Sequence, residues 1–171
     1  MQVQWGTVGR LGLFIGLMGG LMGGLVGCPP PSTAPAVPKP TDGKRHWAVL
    51  PAESDAFPIA ARSTTERLRR ARVRGMDEPQ VSKVSLEVVQ LSIECVERTP
   101  ACYSAVGKSL SANELLFAEI DEGPKKQSIK VTITLFDVDT KQRKKAAIKV
   151  FASEEDVVWG VADVVAEATK P

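Results

Sequence analysis

An uncharged run near the N-terminus does most to constrain how this chain folds, because it separates a leader from the residues that can form a core. Residues 11–27 read LGLFIGLMGGLMGGLVG and follow a single basic residue, Arg10. A membrane-spanning helix needs about 20 predominantly apolar residues, and this run is shorter and rich in glycine. A basic residue followed by a short apolar run is typical of a cleaved export signal. We therefore predict that residues 1–27 form a signal peptide.

The residues that end this run indicate a lipid anchor. Leu25-Val26-Gly27-Cys28 resembles the lipobox of bacterial lipoproteins. The resemblance implies cleavage between Gly27 and Cys28 and attachment of a diacylglyceryl group, with acyl chains such as palmitate, to the Cys28 thiol. Each buried methylene contributes about 0.8 kcal/mol, so two or three acyl chains anchor a protein durably. An ordinary signal peptide followed by a coincidental cysteine is the alternative.

A proline-rich segment follows the cysteine. Residues 29–44 read PPPSTAPAVPKPTDGK, a composition that cannot bury a core and favours extended polyproline II. We interpret 28–45 as lipidated cysteine and tether, and 46–171 as one globular domain. The anchor would hold this domain in the bacterial cell envelope, facing the periplasm. The residue directly after Cys28 is Pro29 and not Asp. The absence of Asp at this position resembles the default for sorting of lipoproteins to the outer membrane rather than the inner one.

Hydrophobic periodicity in the remaining residues predicts the order β-α-α-α-β-β-β-α. Ile129, Val131, Ile133 and Leu135 alternate with more polar residues and predict a strand with one buried face, and Ala146, Ile148 and Val150 repeat that pattern. The predicted strands are 46–51, 114–120, 129–136 and 146–150, and the predicted helices are 59–74 and those beginning near Ser85, Thr99 and Ser153.

Residues 81–96 fit two patterns, since they alternate in part like a strand and in part follow helical spacing; we favour a short extended piece and then a helix from Ser85. Short connections at 121–128 and 137–143 favour antiparallel hairpins. The predicted fold class is therefore α+β, a two-layer sandwich in which helices pack on one face of a mostly antiparallel sheet of about four strands.

Two cysteines of the domain, Cys95 and Cys102, have six residues between them. Outside the cytoplasm such a pair is most simply a disulfide. A redox-active pair usually has two intervening residues, and a metal site would need two further ligands. We therefore predict a structural disulfide and no metal site.

Arginines are concentrated in the first predicted helix. This set could contact anionic lipid headgroups, lipopolysaccharide phosphates or an acidic partner. The alternative, which we favour, is a solvated helix surface, because arginine is a good helix former and the charges surround most of the helix. The possible anionic-contact residues are Arg62, Arg67, Arg69, Arg70 and Arg74, with Arg72 between them.

The residues that carry chemistry in enzymes do not form a recognisable set in this sequence. The only histidine is His46, and none of the serines lies in a G-x-S-x-G motif. Asp137 and Asp139 fit a turn better than a calcium loop. The formal net charge of +2 provides no concentrated basic field for nucleic acid. The sequence therefore predicts a non-enzymatic protein with no catalytic residues, no cofactor and no nucleic-acid partner.

Two short motifs connect the domain with a group of envelope proteins. Ser111–Leu116 reads SANELL and Phe136–Thr140 reads FDVDT. With the order of elements over residues 46–168, these motifs resemble the TolB N-terminal domain and the LpoB-type activators of penicillin-binding proteins. Lys141 departs from the group, which commonly has Gly there. The resemblance implies a protein-binding accessory domain with an envelope protein as partner; a binding module for peptidoglycan or a small ligand is the alternative.

Overall fold

The computed structural model describes residues 45–95 and 97–170. The predictions on residues 1–44, which include the signal peptide, Gly27, Cys28 and the tether, lie outside the described residues. No described helix is both long and apolar enough to cross a membrane. The elements in chain order are β1 (Trp47–Val49), α1 (Pro58–Arg69), β2 (Gln80–Val81), α2 (Leu86–Ser92), α3 (Pro100–Ser109), β3 (Glu114–Glu122), β4 (Ile129–Asp137), β5 (Gln142–Phe151) and α4 (Glu154–Thr169).

The strands form one sheet in the order β2-β1-β3-β4-β5. β1 is parallel to both β2 and β3, whereas the long strands β3, β4 and β5 are antiparallel. The α+β class is confirmed, and β3 is the central strand. The fifth strand, β2, has two residues, which is too short for a hydrophobic period to reveal it.

Helices cover both faces of the sheet, which differs from the predicted packing on one face. Successive residues of a strand point to opposite faces, and β1 is apolar on both: Trp47 and Val49 join one core, and Ala48 and Leu50 join the other. β3 likewise divides its residues between the two cores. The first core contains residues of α1 and α4, and the second contains residues of α2 and α3.

The predicted burial of Ala146, Ile148 and Val150 in β5 is wrong. Ile148 is 62% exposed and Val150 is 46% exposed, whereas Ala147 and Phe151 are buried. β5 lies at the edge of the sheet, and α4 covers the face that carries Ala147 and Phe151. The alternation therefore correctly predicts a strand, but the face of β5 that carries Ile148 and Val150 is the exposed one.

Local capping explains where three of the helices begin. The hydroxyls of Ser85, Thr99 and Ser153 accept hydrogen bonds from backbone N–H groups three residues later, which satisfies donors that a helix start leaves free. The helix from Ser85 resolves the ambiguity of residues 81–96. The apolar stripe of α4, which follows helical spacing, is buried throughout and consists of Val157, Val161, Val164, Val165 and Ala168. α1 ends at Arg69, five residues before the predicted end at Arg74.

Candidate functional site

The two motifs that suggested the envelope group meet at one end of the sheet. The Asn113 side-chain amide donates to Asp139 Oδ2 at 3.1 Å. The Asn113 carbonyl accepts from the Val138 backbone N–H at 2.8 Å, and its side-chain oxygen accepts from the His46 N–H at 3.1 Å. Asn113 therefore joins the start of β3 to both the β4–β5 turn and the beginning of the domain.

A buried carboxylate lies beside this junction. Glu114 is fully buried, and its Oε1 contacts Arg45 Nε at 3.1 Å and Lys144 Nζ at 2.7 Å. Glu114 Oε2 has no hydrogen-bond partner among the described residues. Arg45 also reaches Asp137 Oδ2 at 2.7 Å. Because a buried charge is costly unless it is paired, these cations are needed to keep Glu114 in the fold.

Asp137 is held as an ionised acceptor. Burial alone would raise the pKa of Asp137, but hydrogen bonds from Thr140 and from the Arg45 guanidinium outweigh burial and lower it. The Thr140 backbone N–H donates to Asp137 Oδ1 at 2.9 Å, which is the Asx-turn bond expected from the sequence. Such a carboxylate supports the turn and the Arg45 contact rather than proton transfer.

One part of the second sheet face is open. We call Ala146, Ile148 and Val150 the β5 stripe. Ile148 pairs with Thr132, which in turn pairs with Glu119 of β3, so the stripe lies on the face that α2 and α3 pack against. Those helices cover residues of β1, β3 and the end of β4, and they leave the β5 stripe exposed to solvent.

Charged residues border this open face. Arg98 Nε lies 3.3 Å from Glu119 Oε1, and Arg98 Nη1 lies 3.4 Å from Asp121 Oδ1. Lys130 Nζ lies 3.2 Å from Asp121 Oδ2. The charges of this row are thus largely compensated within the chain. Exposed ion pairs of this kind contribute about 0–1 kcal/mol each, so the row shapes the rim of the surface more than it stabilises the fold.

Tyr103 of α3 connects the second core to this row. Its ring lies 4.9 Å from that of Phe117 and 5.5 Å from that of Phe136, and its hydroxyl bonds Glu119 Oε1 at 3.2 Å. Burial and the Glu119 carboxylate raise the pKa of Tyr103 to about 12. Residue spacing does not predict the contact between Tyr103 and Glu119, because it depends on how α3 packs against β3.

The predicted disulfide is present in the structure. Cys95 and Cys102 are bonded, with a Cα–Cα distance of 5.6 Å, which is in the usual range. Gln90 Nε2 lies 3.2 Å from Cys102 Sγ. The bond fastens the segment that follows α2 to the first turn of α3, so it supports the helix layer over the second core.

The five arginines predicted as an anionic contact do not form one site. Arg62, Arg67 and Arg70 line a cleft of about 300 Å³ between α1 and α4. Arg69 lies 3.4 Å from Glu66. Arg74 lines a separate cleft of about 250 Å³ at the C-terminal end of α4. The charges are therefore divided between two surfaces.

Another cleft, of about 750 Å³, lies between β5 and α4, lined by Lys145, Ala146, Asp163, Ala166, Glu167 and Lys170. Within 45–95 and 97–170, no three His, Cys, Asp or Glu residues are grouped so that they could hold a metal ion.

Several solved structures are similar in fold. The LpoB C-terminal domain from Salmonella enterica has a TM-score of 0.38 and 13% identity, covering 63% of this chain and 76% of that one. The PelC dodecamer from Paraburkholderia phytofirmans has a TM-score of 0.44 and 15% identity, covering 78% of this chain and 93% of that one. TolB from Acinetobacter baumannii has a TM-score of 0.37 and 12% identity, covering 74% of this chain and 28% of that one.

The LpoB and TolB domains named by the sequence resemblance are thus among the structural neighbours. At TM-scores of 0.37–0.44 and identities of 12–15%, these similarities do not bear on partner or activity. No protein-family model matches the chain, and no curated protein sequence matches it.

Proposed function

We propose that this chain is a lipoprotein of the bacterial envelope, anchored through Cys28, whose domain binds another envelope protein without catalysing a reaction. The LVGC motif and the proline-rich tether support the anchor. The resemblance carried by SANELL and FDVDT supports the protein-binding role, with placement on the periplasmic side of the outer membrane as the finer expectation.

The β5 stripe is the observation that carries the protein-binding role. Exposure of branched apolar side chains to water on a sheet face is unfavourable. A partner that covers them stabilises the complex by about 25 cal/mol per Å² of apolar surface buried. Arg143 of β5 supplies a cation on the same face, since it pairs with Phe136 of the second core. The partner that fits this surface presents an apolar patch with an acidic rim.

The rival function is binding of peptidoglycan or a small ligand. The cleft of about 750 Å³ between β5 and α4 favours it, because charged side chains of both signs line this cleft and could bind a polar polymer. The lining residues include no aromatic ring on which a sugar could stack. For this reason we rank protein binding first.

Ile148→Lys tests the proposal in the full chain, expressed in its own envelope and chemically cross-linked before purification. Leu91→Lys is the matched control, since Leu91 of α2 is 66% exposed and Ile148 is 62% exposed. We expect wild type and Leu91→Lys to be cross-linked to the same envelope protein. Ile148→Lys should recover about 30-fold less of that protein, which is the loss expected for an interface hot spot. Equal recovery with both variants, or co-sedimentation of wild type with purified cell wall and no protein partner, contradicts the proposal.

A further inference from the structure

The outer surface of the α1–α4 layer is a second uncovered surface, on the side of the molecule opposite α2 and α3. The Ala60 backbone N–H donates to Glu154 Oε2 at 2.8 Å, so the first turns of α1 and α4 lie side by side and the helices run in the same direction. Two adjoining clefts, of about 300 and 260 Å³, share Arg67 and Arg70 and form one groove between the helices.

The groove has an apolar floor and apolar margins. Val158, Ala162 and Ala166 of α4 line it. Ile59 lines the groove and is 51% exposed. Trp159, which follows Val158 in α4, is 78% exposed and lines the neighbouring cleft beside β5. Exposed aromatic side chains and arginines are enriched in protein interfaces.

The basic and acidic residues of this surface lie mostly on different helices. α1 contains three arginines and one glutamate, and Arg70 follows it directly; α4 contains five acids and no basic residue. Glu66 lies 3.4 Å from Arg69 and 3.9 Å from Arg70. No ion pair between the described residues joins α1 to α4. The basic and acidic halves are therefore adjacent but not paired with each other.

We propose that this surface binds a second copy of the same chain. A two-fold axis that lies in the layer, parallel to the two helices and between them, lays the basic α1 of each copy on the acidic α4 of the other, and both contacts form at once because such an interface is self-complementary. The facing helices are then parallel, and the apolar floors meet along the axis. A uniformly anionic membrane would meet the five acids of α4, so charge separation favours a copy over a membrane.

Cross-linking through a cysteine placed in the groove tests this interface in intact cells with the full chain. Ala162→Cys lies on the groove floor, and Lys126→Cys in the β3–β4 turn is the control. Under mild oxidation we expect disulfide-linked dimer from Ala162→Cys and not from Lys126→Cys. Equal yields from the two positions overturn the proposal.

Charge-reversal variants distinguish a second copy of the chain from any other partner bound at the groove. In the Ala162→Cys background, Arg62→Glu with Arg67→Glu should lower dimer yield about tenfold, because a symmetric interface loses four ion pairs of ordinary strength. Asp163→Lys with Glu167→Lys should lower it similarly, and all four changes together should restore it. Lys125→Glu with Lys126→Glu is the matched control and should change nothing. A dimer yield in the fourfold variant that is lower than in the two double variants contradicts self-association. Because Ile148 is not part of the groove, this result is independent of the Ile148→Lys test of the proposed function.

Discussion

Tyr103 shows how one residue can report on the contact between a helix and the sheet. It is the only tyrosine of the chain, so its ionisation can be followed without overlap from other tyrosines. Its ring is buried among Phe117 and Phe136, and its hydroxyl bonds Glu119. Both burial and the nearby carboxylate disfavour the phenolate, so the two effects act in the same direction.

We expect the tyrosinate absorbance of the folded protein to titrate with a midpoint near pH 12, since the pKa of Tyr103 is raised to about 12. The neutral phenol therefore stabilises the fold fully below the ordinary pKa of 10.0, and this contribution is lost as the pH rises through the folded value. Glu119→Gln should lower the midpoint, whereas Glu122→Gln at the exposed end of β3 should not. A midpoint at the ordinary value, with circular dichroism still native, would contradict the assigned contact.

At the scale of elements, the β4–β5 hairpin combines a regular polar turn with an unfavourable backbone conformation. Asp137 accepts the Asx-turn hydrogen bond from Thr140, and Lys141 has a φ of 56°. That left-handed region favours glycine, which lacks the clashing Cβ. The departure of Lys141 from the Gly common in the resembled group therefore has a conformational cost.

Lys141→Gly is expected to raise the free energy of unfolding by about 0.5 kcal/mol, because relief of the Cβ clash exceeds the added entropy of the unfolded chain. Thermal unfolding followed by circular dichroism measures the change. Lys126→Gly, in a turn position without positive φ, should lower stability slightly. If Lys141→Gly destabilises as much as Lys126→Gly, the turn is not strained at this residue.

At the scale of the whole molecule, Arg45 joins the segment before β1 to one end of the sheet. Its guanidinium contacts Glu114 and Asp137, so the first described residue is fixed to the end of the sheet that carries the hairpin turn. The β5 stripe and the α1–α4 groove are two separate surfaces of the described residues, on opposite faces of the sheet.

The anchor itself is tested by Cys28→Ala. We expect wild type to enter the detergent phase on phase separation and to incorporate labelled fatty acid, and Cys28→Ala to remain in the aqueous phase without label. The double variant Cys95→Ala with Cys102→Ala should still enter the detergent phase, since its lipobox is intact. Normal acyl labelling of Cys28→Ala, or a native product that still begins at Met1, refutes the anchor.

Local sequence determined most of the secondary structure. The capping residues Ser85, Thr99 and Ser153 and the apolar stripe of α4 each act over a few neighbouring residues, so their effect can be read from spacing alone. The alternation of β4 and the spacing of Cys95 and Cys102 were informative for the same reason. These features need no knowledge of what packs against them.

Tertiary structure decided which surfaces are covered. Alternation identifies two sides of a strand but not the side that a helix will meet, so Ile148 was assigned to the core when α4 instead covers Ala147. Strand order also brought Asn113, Glu114, Asp137 and Arg45 together from three separate segments. Contacts between distant segments depend on how layers stack, and this is why the proposed docking surfaces could be identified only in the folded chain.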